Sequence, residues 1–410
     1  MSENRCVIVG GSHAGVSLAI QLRREGWSHD ILLLNDEVEL PYHRPPLSKD
    51  FLGSEKTLDE IRLRPAKVFE QSRIKLSFNT NVISIDTDRK TLVLDGNENL
   101  QYGKLALCVG SKLKRIPQGD QFKNVFYLRT AADAQKIKRS LHQKKRAVVI
   151  GAGYIGLEIS AVLRQFGIEV TIIDLADRVL ERVTSQYFSQ YVQKLHEEHG
   201  VNFMMKTGVS HLEGDTEVKF VICENGEKLA CDIVFIGIGV TPNVELAKKA
   251  GLKVGKGIIV DERCQTSEED IYAAGDCTQH YNSFYDKTIT LESVQNANDQ
   301  GRCAATNIAG NHQNYESLPW FWSDQYDSKI QMVGLNNVAD EVVVRGDFTA
   351  SEKNGFALFY LKESRIVAAD CVNRPKEFAS AKQLIQGKVR LDANTIEDES
   401  IDPFKFKDYA

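Results

Sequence analysis

Two stretches of this chain repeat one plan, and the repetition constrains the fold more than any other feature. Residues 5–36, RCVIVGGSHAGVSLAIQLRREGWSHDILLLND, read as a β-branched strand, a glycine turn, an amphipathic helix and a second strand ending at Asp36. Residues 148–174, VVIGAGYIGLEISAVLRQFGIEVTIID, repeat that order and end at Asp174. A glycine turn between a strand and a helix lets backbone approach a pyrophosphate closely. The helix that follows offers free N–H groups and the positive end of its dipole. Each stretch therefore predicts a βαβ nucleotide-binding unit.

The second unit begins about 140 residues after the first, so the 410 residues have room for two dinucleotides, one per domain. KLALCVGSKLKRIP and CDIVFIGIGVTPN each end a strand in a glycine-containing turn, as expected where a chain passes between domains. GIIVDERCQTSEEDIYAAGDCTQH offers short strands able to return to the first domain. After about residue 320 the stretches KIQMVGL, DEVVVRGDF and GFALFYLKESRIVAADCV alternate like an antiparallel sheet, and a helix follows near EFASAKQLIQG. The predicted fold class is α/β, with two Rossmann-like dinucleotide-binding domains and an α+β C-terminal domain carrying an antiparallel sheet. The expected boundaries are 1–110 and 244–320 for the two parts of the first nucleotide domain, 111–243 for the second, and 321–410 for the last.

Composition narrows the function classes. With 42% hydrophobic and 26% charged residues the chain reads as globular, and no window approaches 18 uninterrupted apolar residues. The start enters an apolar run without a basic leader, so a cytoplasmic protein with no membrane association is expected. A net charge of -5 and the lack of an aromatic-basic motif argue against nucleic acid. The basic runs KLKR at 112–115 and KIKRSLHQKKR at 136–146 read as solvated faces and leave an acidic protein partner open. Eight cysteines form no C-x-x-C pair, so a structural zinc, an iron–sulfur cluster on this chain and a local redox disulfide are not expected, and no metal is assigned.

The second motif is complete: Gly151, Gly153 and Gly156 form G-x-G-x-x-G, and Asp174 follows 18 residues beyond Gly156. The first is looser, with Ser12 where the middle glycine belongs, while Gly10, Gly15 and Asp36 keep their places. Asp36 and Asp174 each suit a ribose 2′-hydroxyl and would repel a 2′-phosphate, which at the second site favours NADH over NADPH. Arg178, four residues past Asp174, is a charge that could meet such a phosphate. Glu158 lies among Ile155, Leu157, Ile159 and Val162 on a largely apolar helix, where an unpaired carboxylate would cost several kcal/mol. Lys49, presented by the proline-stiffened PYHRPPLSKD, is its candidate partner.

PYHRPPLSKDFL, VVIGAGYIGLE, DRVLERVT, YAAGDCTQHYN, LESVQNANDQGRCAATNIAG and PWFWSDQYDSKIQMVGL, in that order, resemble the FAD-dependent, NADH-using ferredoxin reductases of bacterial oxygenase systems across essentially the whole chain. The resemblance implies a glutathione-reductase-like arrangement with an FAD domain in two pieces, an inserted NAD domain and a C-terminal domain. It implies FAD contacts from Gly10, Ser12, His13, Ala14, Asp36, Lys49, Val82, Arg129, Asp276 and Val294. NAD contacts are implied for Gly151, Gly153, Tyr154, Ile155, Gly156, Asp174 and Gly239. Lys49 and Glu158 would then pair beside the hydride-accepting flavin nitrogen, and Trp322 would lie on the route to the acceptor, a core place in the C-terminal domain being the alternative for Trp320 and for Trp322. Val294, at a helix start, would place a positive dipole end near the charge of reduced flavin. Arg302 and neighbouring basic residues would meet an acidic 2Fe–2S ferredoxin, which in turn serves a P450 or a Rieske-type ring-hydroxylating oxygenase. Residues 42–48 hold no cysteine, which excludes a dithiol relay there and disfavours an NADH oxidase or peroxidase. The alternative from another class is an NADH-sensing flavoprotein resembling apoptosis-inducing factor.

Overall fold

The structure, a computed structural model, describes residues 4–347 and 355–410. They form two compact units. The first comprises the chain up to His43, Leu58–Lys112 and Val240–Pro319; the second comprises Arg44–Thr57, Leu113–Gly239 and the chain from Trp320 onward.

In the first unit five parallel strands form one sheet, in the order Ile271–Ala273, Lys104–Leu107, Cys6–Val9, Ile31–Leu34, Ile74–Ser77. Helices cover parallel strands on both faces, which is why the central ones are unbroken apolar runs, CVIV and ILLL, rather than alternating ones. The helices His13–Arg24 and Val294–Ile308 lie against one another. Gly301 permits that approach, because a Cβ there would sit 2.5 Å from the Ala14 carbonyl oxygen. The strand Ile271–Ala273 on this sheet's edge comes from the returning segment foreseen in the sequence.

The second unit repeats the plan. Its parallel sheet has the order Val201–Met204, Glu169–Ile173, Arg146–Ile150, Ile233–Ile236, Val125–Phe126. The helix Tyr154–Gln165 follows Arg146–Ile150. The same unit contains an antiparallel sheet in the order Trp320–Gln325, Ser328–Gly334, Arg365–Val372, Phe356–Lys362, Glu341–Gly346, followed by the helix Pro375–Gln386. Phe348, at the end of the DEVVVRGDF stretch, lies outside the described residues. Leu157, Phe188, Ile233, Phe356 and Tyr360 belong to one buried cluster, so the antiparallel sheet and the parallel sheet share a core.

All eight cysteines are buried and free. Among the described residues no helix is long and apolar enough to cross a membrane, and no cluster of His, Cys, Asp and Glu has the geometry of a metal site.

Candidate functional site

The two glycine turns share their backbone constraints. Gly10 and Gly151 have φ of +113° and +114°, and a Cβ on either would come within 2.2 or 2.4 Å of a carbonyl oxygen, of Cys108 or Gly237. A Cβ on Gly15 or Gly156 would lie 2.0 Å from the carbonyl of Gly10 or Gly151. These four positions admit glycine alone. Gly153 is different: its φ is negative and a Cβ there would meet nothing within 4 Å. The space beside it suits a pyrophosphate, and the equivalent place in the first unit is held by the small Ser12. Neither helix carries an acid in its first turn, and neither Ser12 nor Gly153 caps its helix by a side-chain bond, an arrangement that suits an anion at the helix start. Ile155 is 45% exposed, just ahead of the buried run Gly156–Leu163 on the same helix. The turns fit the dinucleotides.

The two carboxylates that follow the turns do not occupy matching positions. Gly10 N–H donates to the Leu34 carbonyl and Gly151 N–H to the Ile173 carbonyl, so Asn35 is the counterpart of Asp174, and Asp36 that of Leu175. Asp174 accepts hydrogen bonds from the backbone N–H of Ala152 (2.6 Å) and of Ala176 (2.8 Å), tying the glycine turn to the loop after its strand. Asn35 lies against Gly11 and donates to the carbonyls of Glu37 and Glu39, while Asp36 stands exposed one residue further on. Arg178 spends its guanidinium on the carbonyls of Glu181, Thr184 and Ser185 and on the Ser189 hydroxyl, which makes it a loop clamp.

Glu158 is 2% exposed, on the helix Tyr154–Gln165. Three donors converge on its carboxylate: Lys49 Nζ at 2.7 Å, Ser48 Oγ at 2.5 Å and Ser323 Oγ at 2.5 Å. Pro45 and Pro46 open the 3-10 turn that ends at Ser48 and delivers both Ser48 and Lys49; Ser323 comes from the strand Trp320–Gln325. Three segments far apart in sequence are thereby held on one buried anion, and the desolvation of that anion is offset by a cation and two hydroxyls. The sequence had paired Lys49 with Glu158. It gave the two serines no role, although Ser48 lies in PLSK and Ser323 in WFWSDQ.

The remaining candidates lie as follows. In the first unit, His13 is buried with its ring 5.4 Å from that of His43, and burial and the nearby Arg64 lower the pKa of His43. Ala14 is buried beneath Gly275 and Gly301. Asp276 follows Gly275 and accepts from the Ser111 hydroxyl at 3.1 Å. Val294 is the first residue of a 15-residue helix capped by Ser293 and free of first-turn acids; Val82 starts the strand Val82–Asp86. On the buried face of that helix Gln300 accepts from Gly275 N–H and the Thr278 hydroxyl and meets His280 Nδ1, a buried network that no motif announced. Arg302 is exposed and paired with Asp299. In the second unit, Arg129 lies in the loop before the helix Ala131–Ser140, its carbonyl accepting from Arg44. The Tyr154 ring packs 4.9 Å from that of Phe321, Gly239 has φ +95° with open space beside it, and Trp322 lies 5.6 Å from Trp320, over which Lys382 Nζ sits at 4.0 Å.

Two glycine-cradled nucleotide units with a buried lysine–glutamate pair after the second describe a dinucleotide-dependent redox protein. The chain belongs to the pyridine nucleotide-disulphide oxidoreductase family, whose pattern matches residues 4–301, and residues 320–405 match a reductase C-terminal domain. It is an oxidoreductase that uses FAD and NAD(H). It is 40% identical to putidaredoxin reductase of Pseudomonas putida, over 98% of this chain and 96% of that one. It is 37% identical to the ferredoxin–NAD(+) reductase component of the anthranilate 1,2-dioxygenase system of Burkholderia cepacia, over 98% of both. Among solved structures, a covalent putidaredoxin reductase–putidaredoxin complex matches with a TM-score of 0.95 at 39% identity, covering 99% of this chain and 98% of that one.

Proposed function

We propose that this protein is a cytoplasmic NADH-dependent ferredoxin reductase, which passes electrons from NADH through FAD to a 2Fe–2S ferredoxin serving a P450 or a ring-hydroxylating oxygenase. The observation that carries this reading is the buried Lys49–Glu158 pair directly behind the second glycine turn, in a chain alike over nearly its whole length to reductases of that kind. FAD supplies the chemistry that no side chain has, taking two electrons from a hydride donor and releasing them one at a time.

The chain's own residues bind, orient and tune. The turn at Gly10, Ser12 and Ala14, with Asp36, holds the adenosine half of FAD; His13, Val82, Arg129, Asp276 and Val294 complete the flavin contacts. The turn at Gly151, Gly153 and Gly156, with Tyr154, Ile155, Asp174 and Gly239, holds NADH. Lys49 and Glu158 set the charge beside the reacting ring, and because they neutralise one another the pair adds polarity without adding net charge. Trp322 lies toward the acceptor, and Arg302, partly compensated by Asp299, contributes to the ferredoxin-facing charge.

The test is anaerobic stopped-flow absorbance on the flavin-loaded protein, mixed first with NADH and then with an oxidised 2Fe–2S ferredoxin. Rapid flavin bleaching followed by reduction of the ferredoxin supports the reading. A reduced protein that persists in the presence of the ferredoxin would point instead to an NADH sensor.

A further inference from the structure

Behind Glu158 the structure holds a line of polar groups that the reaction outlined above does not use. Gln325 Nε2 lies 3.1 Å from Ser323 Oγ, Gln325 Oε1 lies 2.8 Å from His196 Nε2, and Tyr326 Oη lies 3.3 Å from His196 Nδ1. Ser323, Gln325 and His196 are at most 1% exposed. Tyr326 is half-buried and stacks on His199 at 3.6 Å, and the His199 Nδ1–H is anchored on the Leu195 carbonyl. The line thus runs from a buried carboxylate to the edge of its unit.

The direction of every hydrogen bond in it follows from one charge. Held by Lys49, the Glu158 carboxylate can only accept, so Ser323 must donate its single proton to it. Ser323 Oγ is left as an acceptor, so Gln325 must turn its NH2 toward Ser323 and its oxygen toward His196. His196 must then carry its proton on Nε2, leaving Nδ1 bare to accept from the Tyr326 hydroxyl. Burial lowers the His196 pKa to about 4, which keeps the ring neutral and the pattern single-valued near neutral pH. Donors aligned head to tail polarise one another, and all of them here point at Glu158.

We infer that the Glu158 carboxylate sets the hydrogen-bond direction through Ser323, Gln325 and His196 to Tyr326, and that Ser323, Gln325 and His196 are positioning residues for Glu158 in the electron-transfer reaction. The hydrogen-bond direction stands by itself; the kinetic consequence rests on the NADH reductase reading.

The experiment uses the full-length, FAD-loaded protein with 15N-labelled histidine, the His196 signals being assigned by their loss in His196→Gln. In the wild type at pH 7 His196 is expected as the Nε2–H tautomer. In Glu158→Gln, whose amide can donate or accept, its ring nitrogens are expected to shift toward the average of two exchanging tautomers. Gln325→Leu is expected to slow flavin reduction by NADH about fivefold, the equivalent of one ordinary hydrogen bond, and to have no further effect in the Glu158→Gln background. If Gln325→Leu does not fold, Ser323→Ala cuts the same line and is read in the same way. An Nδ1–H tautomer in the wild type, a tautomer indifferent to Glu158→Gln, or an equal slowing in both backgrounds would overturn the inference. A wild-type protein that NADH does not reduce would sink the reductase reading alone, since the tautomer measurement still decides the direction.

Discussion

At the residue scale the chemistry gathers on Glu158. Its partner Lys49 is only 13% exposed at the side chain, so Glu158→Ala leaves a nearly buried ammonium without its counter-ion. The expected cost is about 3–5 kcal/mol of stability, to be read from denaturant unfolding, whereas Glu158→Gln keeps a hydrogen-bonding group of the same size and should cost clearly less. Asp174→Ala should raise the KM for NADH and relax discrimination against NADPH. Because Asp174 also pins Ala152, the same variant should lower thermal stability, by about 1–3 kcal/mol for the backbone bonds lost. A drop in stability with unchanged nucleotide selectivity would leave Asp174 a purely structural anchor. The Lys49–Glu158 pairing was legible in the sequence because a carboxylate on an apolar helix demands a cation. Ser323 was not legible, since nothing local tells a serine that its acceptor lies 165 residues away. The displaced register of Asp36 against Asp174 was equally hidden, because the connection between helix and strand is longer in the first unit than in the second.

At the element scale the glycine turns separate fold from binding. Gly156→Ala sets a methyl group 2.0 Å from the Gly151 carbonyl and should yield little folded protein, whereas Gly153→Ala meets open space at a negative φ. The Gly153 variant should therefore melt like the wild type while its KM for NADH rises about tenfold or more, as measured by calorimetry and initial rates. A wild-type KM would mean that the pyrophosphate lies elsewhere. The C-terminal segment depends on a different device. Arg345, 2% exposed, donates to the carbonyls of Ile396, Asp398 and Ile401 and pairs with Glu377, while its guanidinium lies 5.2 Å from the Phe406 ring. Arg345→Met removes those donors at once and should cost about 3–5 kcal/mol, with protease cleavage appearing first after residue 390. The βαβ units and the alternating C-terminal strands could be read from periodicity, because each depends on local pattern. The arginine clamp could not, since it joins a strand to a tail some fifty residues later through carbonyls that every residue type possesses.

At the scale of the whole molecule, buried titratable groups give stability a pH dependence of definite sign. His196 and His280 are both held near pKa 4 by burial, against 6.5 when free, so below pH 6.5 the unfolded chain binds protons that the folded chain refuses. Each therefore removes about 1.4 kcal/mol per pH unit as pH falls from 6.5 toward 4. Asp370, buried and hydrogen-bonded by Thr184 and Tyr360, is raised to about 6 and acts in the opposite sense, stabilising the folded state as pH falls from about 6 to 3.8. Two histidines outweigh one carboxyl, so urea midpoints should decline from pH 6.5 to 4.5, and the decline should be shallower in His280→Gln. A flat profile would mean that water reaches these rings.

The partition of the chain has a further consequence at this scale, for the order in which the molecule can be made. The backbone crosses between the two units five times, after residues 43, 57, 112, 239 and 319. The edge strand Ile271–Ala273 and the helix that packs on His13–Arg24 are made only some 260 residues after the first glycine turn. Lys49 likewise waits for the synthesis of Glu158, and both wait for Ser323. The first unit cannot close before residue 319 has been made, and the second needs the segment beyond it as well, so neither complete unit is a contiguous fragment. Acquisition of flavin is then expected to be a late, post-translational event.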